Sequence, residues 1–260
     1  MKTNTFKARL KEKQQIGLWV SLGSAASAEI LAHSGADWLL IDMEHSPNEI
    51  ATVLDQLRAV GEDSEVIVRP PNADQTVTKR LLDTGVRSIM FPMIDTAEQA
   101  RQAVSWTRYP PKGTRGISSV VRATGYGRHA ASYLEAEDAR ICVIVQVETP
   151  TALANIEEIA QVEGVDAIFI GPGDLAASMG FAGQGASALA VADAIHAALK
   201  RINATGCGAG VLGYGEKAAG GFFSQGADFV AVGADTWLLA QQSTSLVERV
   251  KARLGEQGTS

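Results

Sequence analysis

The sequence predicts a (β/α)8 barrel, and three observations carry that expectation. A junction of helix, glycine and apolar run recurs at Ser34-Gly35-Ala36-Asp37, Thr84-Gly85-Val86-Arg87, Glu163-Gly164-Val165-Asp166 and Gln225-Gly226-Ala227-Asp228. Each glycine falls where a helix C-cap needs a positive φ, and each precedes a β-rich stretch. Eight such stretches alternate with helical patterns, which implies a parallel sheet. The length, 260 residues, is the size at which eight βα units close into one barrel.

Taken in order, the first strand spans 16–21 and runs into Leu22-Gly23-Ser24-Ala25-Ala26, a poor match to a dinucleotide-binding G-x-G-x-x-G turn. That mismatch disfavours a doubly wound sheet. The second strand, 38–44, leads to a helix over 47–60, and the third, 66–69, is stopped by Pro70-Pro71. The fourth, 88–93, precedes a helix over 96–106 and an irregular stretch over 107–137, a length usually reserved for lids or interfaces. Strands at 141–147 and 167–170 flank a helix over 151–162, and a helix over 187–203 feeds the strand at 208–212. The last strand, 229–232, precedes a C-terminal helix over 236–254. No linker interrupts this rhythm, so residues 1–260 read as one domain with one elaborated loop.

With 46% hydrophobic and 20% charged residues the chain can bury a large core, and no segment has a disordered composition. A net charge of −6 argues against nucleic-acid or anionic-membrane partners. Lys2, Lys7, Arg9, Lys11 and Lys13 precede no apolar signal region, so the N-terminal segment reads as a solvated leader helix. No apolar run approaches the ~20 residues that cross a bilayer. Cys142 and Cys207 fit neither a disulfide framework nor a thiolate metal site. A soluble cytoplasmic protein is expected.

The chemistry gathers at strand exits. Two apolar strands run into carboxylates: one ends Val145-Gln146-Val147-Glu148, the other Phe169-Ile170-Gly171-Pro172-Gly173-Asp174. A desolvated carboxylate is costly unless something pairs it. Thr149-Pro150 already supplies a cap and a first-turn proline for the next helix, which frees Glu148 for another role. Asp174 reads equally as helix cap and as ligand. Two carboxylates without nearby thiols suit Mg²⁺ or Mn²⁺, with water and substrate oxygens completing the shell.

Other polar residues stand at the same exits. Asp42 and Glu44 share one strand face, His45 follows them, and Gln146 shares a face with Glu148. Arg69, held extended by Pro70, is either half of a structural ion pair or a fork for a keto acid or enolate. His45 is a better general-base candidate than His33, His129 or His196, which lack polar companions. None of the lysines, at positions 2, 7, 11, 13, 79, 112, 200, 217 and 251, ends a predicted strand, which disfavours Schiff-base chemistry.

Four strings then become familiar: Leu39-Leu40-Ile41-Asp42-Met43-Glu44-His45-Ser46-Pro47-Asn48, Thr107-Arg108-Tyr109-Pro110-Pro111-Lys112-Gly113-Thr114-Arg115-Gly116, Val145-Gln146-Val147-Glu148 and Phe169-Ile170-Gly171-Pro172-Gly173-Asp174-Leu175. From about Gly17 to beyond Asp235 the chain resembles the HpcH/HpaI aldolases, class II pyruvate aldolases built on barrels of the phosphoenolpyruvate/pyruvate type. The resemblance implies Glu148 and Asp174 as ligands of a divalent metal, and Arg69 as the arginine on the keto or enolate oxygen. It implies His45 as base with Asp83 as its acidic partner, and the amides of Gly173 and Asp174 as a cradle for the pyruvate carboxylate. Gln146 and Leu212 fall beside the substrate, and Asp42 and Glu44 behind it. Gly173 stands where the family commonly has alanine. The implied reaction is reversible cleavage of a 4-hydroxy-2-keto acid to pyruvate and an aldehyde.

Two rivals are weighed against it: a CoA-thioester lyase of the citryl or malyl type, which needs a basic groove, and a non-catalytic keto-acid-binding barrel. In the C-terminal helix, Leu239, Leu246, Val250 and Leu254 form a near-heptad stripe. The stripe suits packing on the chain's own barrel, whereas the resemblance implies a hexamer in which this helix crosses to a partner.

Overall fold

A computed structural model describes residues 3–257, with side chains through Leu254. Eight parallel strands close into a barrel in chain order: β1 (Gln15–Val20), β2 (Trp38–Asp42), β3 (Glu65–Arg69), β4 (Ser88–Phe91), β5 (Cys142–Val147), β6 (Ala167–Ile170), β7 (Gly208–Leu212) and β8 (Phe229–Ala234). The helices are α1 (Thr5–Arg9), α2 (Ala25–Ala32), α3 (Ile50–Val60), α4 (Gln75–Asp83), α5 (Ala97–Thr107) and α6 (Ala130–Ala136). They continue as α7 (Pro150–Ala154), α8 (Ile156–Ala160), α9 (Pro172–Ser178), α10 (Leu189–Thr205), α11 (Gly215–Ser224) and α12 (Asp235–Gln257). The four junction glycines, Gly35, Gly85, Gly164 and Gly226, all take φ between +86° and +99°, the conformation their side-chain-free backbone permits. The helix expected over 151–162 breaks at Asn155 into α7 and α8, where the Asn155 side-chain amide donates to the Asp95 carbonyl at 2.7 Å.

Two cores follow from the period-2 alternation of the strands. Leu39 and Ile41 of β2 point outward into the layer beneath the helices, as do their counterparts on other strands. Trp38 and Leu40 point inward with Ile67, Met90, Ile144, Phe169 and Phe229. Large rings fit inside because facing positions are empty: a Cβ at Gly17 would lie 2.1 Å from the Trp38 ring, and one at Gly210 would lie 2.3 Å from Phe229.

The N-terminal segment is more than a solvated leader. Asn4 caps α1, and Phe6 inserts fully buried beneath the barrel, edge-on to Trp38 and Phe229 at centroid distances of 6.0 and 5.2 Å. An aromatic plug closes the floor of the barrel. The charged residues around it pair at its rim, as Lys7 does with Asp166 at 2.9 Å.

The long 107–137 stretch packs against α4 and the junction after it. Gln75 donates to the Thr114 carbonyl at 3.0 Å, and Arg122 donates to the Thr84 carbonyl at 2.6 Å. Arg115 is its buried anchor, stacked on Tyr109 at 4.5 Å and Tyr133 at 5.5 Å. The C-terminal helix behaves differently. Leu239, Leu246, Val250 and Leu254 are 48–64% exposed, so the stripe does not pack on its own barrel. Among the described residues, no helix is long and apolar enough to cross a membrane.

Candidate active site

Extending the inward-facing register by one step past the strand ends builds the site. After Trp38 and Leu40 comes Asp42, after Ile67 comes Arg69, and after Ile144 come Gln146 and Glu148. After Phe169 the same register reaches Gly171, and after Gly210 it reaches Leu212. The aromatic interior thus gives way within one layer to charged groups at the carboxyl ends of the strands, where catalytic residues gather in this architecture.

On one wall a buried ion pair is closed within the chain. Asp42 and Arg69 are register partners on β2 and β3. Arg69 donates Nε to Oδ1 and Nη2 to Oδ2 of Asp42, both at 2.8 Å, a bidentate fork. Its remaining edge faces Glu44 Oε2 at 2.7 Å and Gln146 Oε1 at 3.5 Å. The guanidinium lies 5.2 Å from the Trp19 ring, which closes its other face. Arg69 is therefore held in an ion pair, the first of the two readings its sequence position offered. Asp42 also accepts from the Glu44 amide at 3.0 Å, which tethers the start of the loop. His45 follows, largely exposed, with Nε2 3.9 Å from Glu44 Oε2. Burial raises the Glu44 carboxyl above its ordinary range, against the pull of Arg69 and His45.

At the exit of β5, two strands further round, the carboxylate has no such partner. Glu148 is 2% exposed. Its Oε1 accepts from the Met93 amide at 2.9 Å and its Oε2 from Gln146 Nε2 at 2.5 Å. Met93 presents that amide from a left-handed backbone, φ 53°. Burial pushes the Glu148 carboxyl up to about 7; the Met93 hydrogen bond works against the rise, the charges of Asp174 and Glu44 add to it, and the more distant charge of Arg69 opposes it. Asp174 lies in the first turn of α9, where Gly171 is the N-cap and no side chain caps the helix. The cap reading of Asp174 therefore falls away, and its exposed carboxylate is held by no hydrogen bond or ion pair among the described residues.

Gly171 escaped the reading of the sequence. A Cβ there would lie 2.3 Å from Glu148 Oε2 and 2.7 Å from Gln146 Nε2, so only glycine leaves room for that carboxylate. The signal was present in the inward period of β6, which places residue 171 at the rim. Trp19 and Met93 were also missed: one acts through a ring face and the other through a backbone amide, and neither carries a polar side chain to notice. By contrast a Cβ at Gly173 would meet nothing within 4 Å, so the alanine common in the family would fit.

A cavity of about 320 Å³ opens here, lined by Trp19, Asp42, His45, Arg69, Gln146, Gly171, Asp174, Leu212 and Tyr214 among others, with Glu148 behind Gln146 and Gly171 and not in the lining itself. Asp83 is not among them. It ends α4, which runs back from the mouth toward the start of β4, and it faces Arg115 at 3.5 Å. His45 and Asp83 thus stand at opposite ends of the same barrel. As a metal site the mouth offers the carboxylate oxygens of Glu148 and Asp174, and among the described residues no cluster of three or more His, Cys, Asp and Glu could hold an ion. An ion held by Glu148 and Asp174 would complete its shell with water and substrate oxygens, as hard divalent cations do.

The sequence profile of the HpcH/HpaI aldolase/citrate lyase family matches residues 15–241. The chain belongs to that family. It is 49% identical to the 4-hydroxy-2-oxovalerate aldolase of Rhodococcus jostii over 249 residues, 95% of each chain. It is 45% identical to a 4-hydroxy-2-oxo-heptane-1,7-dioate aldolase of Escherichia coli over 258 residues, 98% of this chain and 97% of the other. Among solved structures it is similar to an HpcH/HpaI aldolase/citrate lyase family protein from Burkholderia cenocepacia, at TM-score 0.89 and 39% identity, covering 96% of this chain and all of that one. The citrate synthase SbnG is similar at TM-score 0.84 and 25% identity over 95% and 97% of the two chains. Membership of the HpcH/HpaI family makes this barrel an aldolase, a carbon–carbon lyase, and divalent-metal dependence is general among aldolases of that family.

Proposed function

We propose that the chain cleaves 4-hydroxy-2-oxo acids reversibly to pyruvate and an aldehyde, with Mg²⁺ or Mn²⁺ held by Glu148 and Asp174. The observation that carries this is the unequal state of two buried carboxylates at the mouth: Asp42 is locked to Arg69 by a bidentate fork, whereas Glu148, which Gln146 connects to the same guanidinium, is pushed up to about 7 by burial. Both relatives named above are aldolases of 4-hydroxy-2-oxo acids.

When bound, the metal supplies Lewis acidity and charge for the 2-oxo group. Arg69 presents Nη1 to the oxygen on which the enolate charge develops, and Asp42 fixes its plane so that no reorganisation is needed. His45, exposed at the mouth beside Glu44, takes the proton of the C4 hydroxyl. The C3–C4 bond breaks, its electron pair passes into the enolate of pyruvate, and C4 leaves as the aldehyde carbon. Protonation of C3 completes cleavage, and reversal adds the enolate to an aldehyde. Gln146 orients Glu148, and the backbone at Gly173 and Asp174 faces the keto-acid carboxylate, with Leu212 beside the C4 substituent.

Asp83 serves as the acidic partner of His45 only across a contact between two copies, because within one chain the two lie at opposite barrel ends. The exposed stripe of α12 provides the adhesive for such an assembly, a hexamer on this reading, working in the cytoplasm. Pyruvate release from 4-hydroxy-2-oxo acids is expected to stop with EDTA and to return with Mg²⁺ or Mn²⁺. Activity that survives chelation would overturn the proposal.

A further inference from the structure

A second cavity, larger than the one that holds the charged groups, opens beside it. A groove of about 870 Å³ runs outward between the segment from α9 to α10 and helix α11. It is continuous with the catalytic cavity, since Pro172, Gly173, Leu212 and Tyr214 line both. Its walls are mostly small or apolar, with Ala186 and Ala192 on one side and Ala218, Gly221 and Phe222 on the other, and Ser187, Lys217 and Gln225 also line it. Phe222 can lie against the floor because residue 213 is glycine: a Cβ there would sit 2.7 Å from the ring. The cavity with Arg69 and Asp174, at about 320 Å³, already has room for a three-carbon keto acid. A longer substituent on C4 can extend from it into the groove.

We propose that this groove is the acceptor subsite of the aldolase, and that it takes the extended apolar chain of the aldehyde half. The inference rests on the aldolase reading above and adds a substrate class to it: aldehydes longer than acetaldehyde, unbranched and uncharged along the chain. Leu212 and Tyr214 stand at the junction between the two cavities, and Tyr214 leans on Trp237 at a centroid distance of 5.3 Å. The chain passes between them, and each methylene laid on these walls leaves water. A buried methylene is worth roughly threefold in kcat/KM.

The test is a homologous series with pyruvate: acetaldehyde, butanal and hexanal. For the natural chain kcat/KM rises by roughly threefold per methylene along the series. Gly221→Phe fills the groove at a point where a Cβ meets nothing within 4 Å, and Ala192→Phe fills it from the opposite wall. Each variant flattens the series while the acetaldehyde rate stays within about twofold. A natural enzyme that accepts acetaldehyde but gains nothing with length overturns the inference and leaves the aldolase reading standing. A natural enzyme inert toward every aldehyde sinks both. Variants that keep the length dependence but change the oligomeric mass in light scattering also overturn it, because a second copy of the chain would then cover the groove.

Discussion

The two walls of the barrel mouth carry similar carboxylates in opposite electrostatic states. On β2 and β3, Asp42 is neutralised by Arg69 through two 2.8 Å hydrogen bonds. On β5, Glu148 is as deeply buried but has only an amide and a side-chain amide for company. The first wall is finished by the protein alone and supplies a fixed positive edge. The second has no ion pair of its own, and Arg69 acts on it only at a distance, so burial raises its carboxyl. A paired carboxylate supports structure; an unpaired one at the same depth marks where an outside charge belongs.

The contrast is tested most sharply by changing one carboxylate on each wall. Glu148→Gln should lower metal-dependent pyruvate release by at least about 10³-fold, since it removes a ligand charge, yet leave the thermal midpoint within a few degrees. Asp42→Asn should do the reverse in emphasis, costing up to about 3–5 kcal/mol of stability because the buried guanidinium of Arg69 loses its bidentate partner and keeps only Glu44. Denaturant titration and steady-state kinetics on the two variants measure both effects. If Glu148→Gln were the one to unfold the barrel, the two walls would not differ as described.

Gly171 sharpens the picture on the unfinished wall. A methyl group 2.3 Å from Glu148 Oε2 must displace the carboxylate, and a misplacement near 1 Å costs about 10²-fold in rate. Gly171→Ala should therefore lose activity on that scale and weaken metal binding, while Gly173→Ala, with open space around its Cβ, should leave both nearly unchanged. Equal losses in the two variants would show that the loop, and not the carboxylate, is the sensitive part.

How much of this was legible in the sequence depends on which physical signal each residue carries. The eight strands were readable because helix-ending glycines recur: Gly35, Gly85, Gly164 and Gly226 each mark a strand about to begin. Glu148 was readable because a charge at the end of an apolar run is conspicuous, and Thr149-Pro150 removed its alternative use as a cap. Gly171 and Met93 were not, because one contributes by lacking a side chain and the other by its backbone amide. Phe6 was hidden among N-terminal lysines, where charge suggested solvent although a single aromatic plugs the barrel floor. Asp83 shows a different limit. Family likeness supplies it with a role beside His45, and only the three-dimensional path of α4 reveals that the two lie at opposite ends.

The smallest effect separates the walls by pH. In metal-free protein the Glu148 carboxyl is raised from its ordinary 4.5 to about 7, chiefly by burial. The folded state therefore holds this proton more tightly than the unfolded chain does. Its contribution to stability is complete below pH ~4.5 and is lost as pH rises through ~7, a difference on the order of 3 kcal/mol. Chelated wild-type protein should melt progressively lower between pH 5 and 8, and Glu148→Gln should melt with a shallower slope over the same interval. Mn²⁺ added at pH 8 should raise the midpoint of the wild type and leave the variant nearly unmoved, because a cation replaces the proton only where a carboxylate receives it. Parallel pH slopes in the two proteins would mean that Glu148 ionises without penalty. The unfinished wall would then be no different, electrostatically, from the one that Arg69 completes.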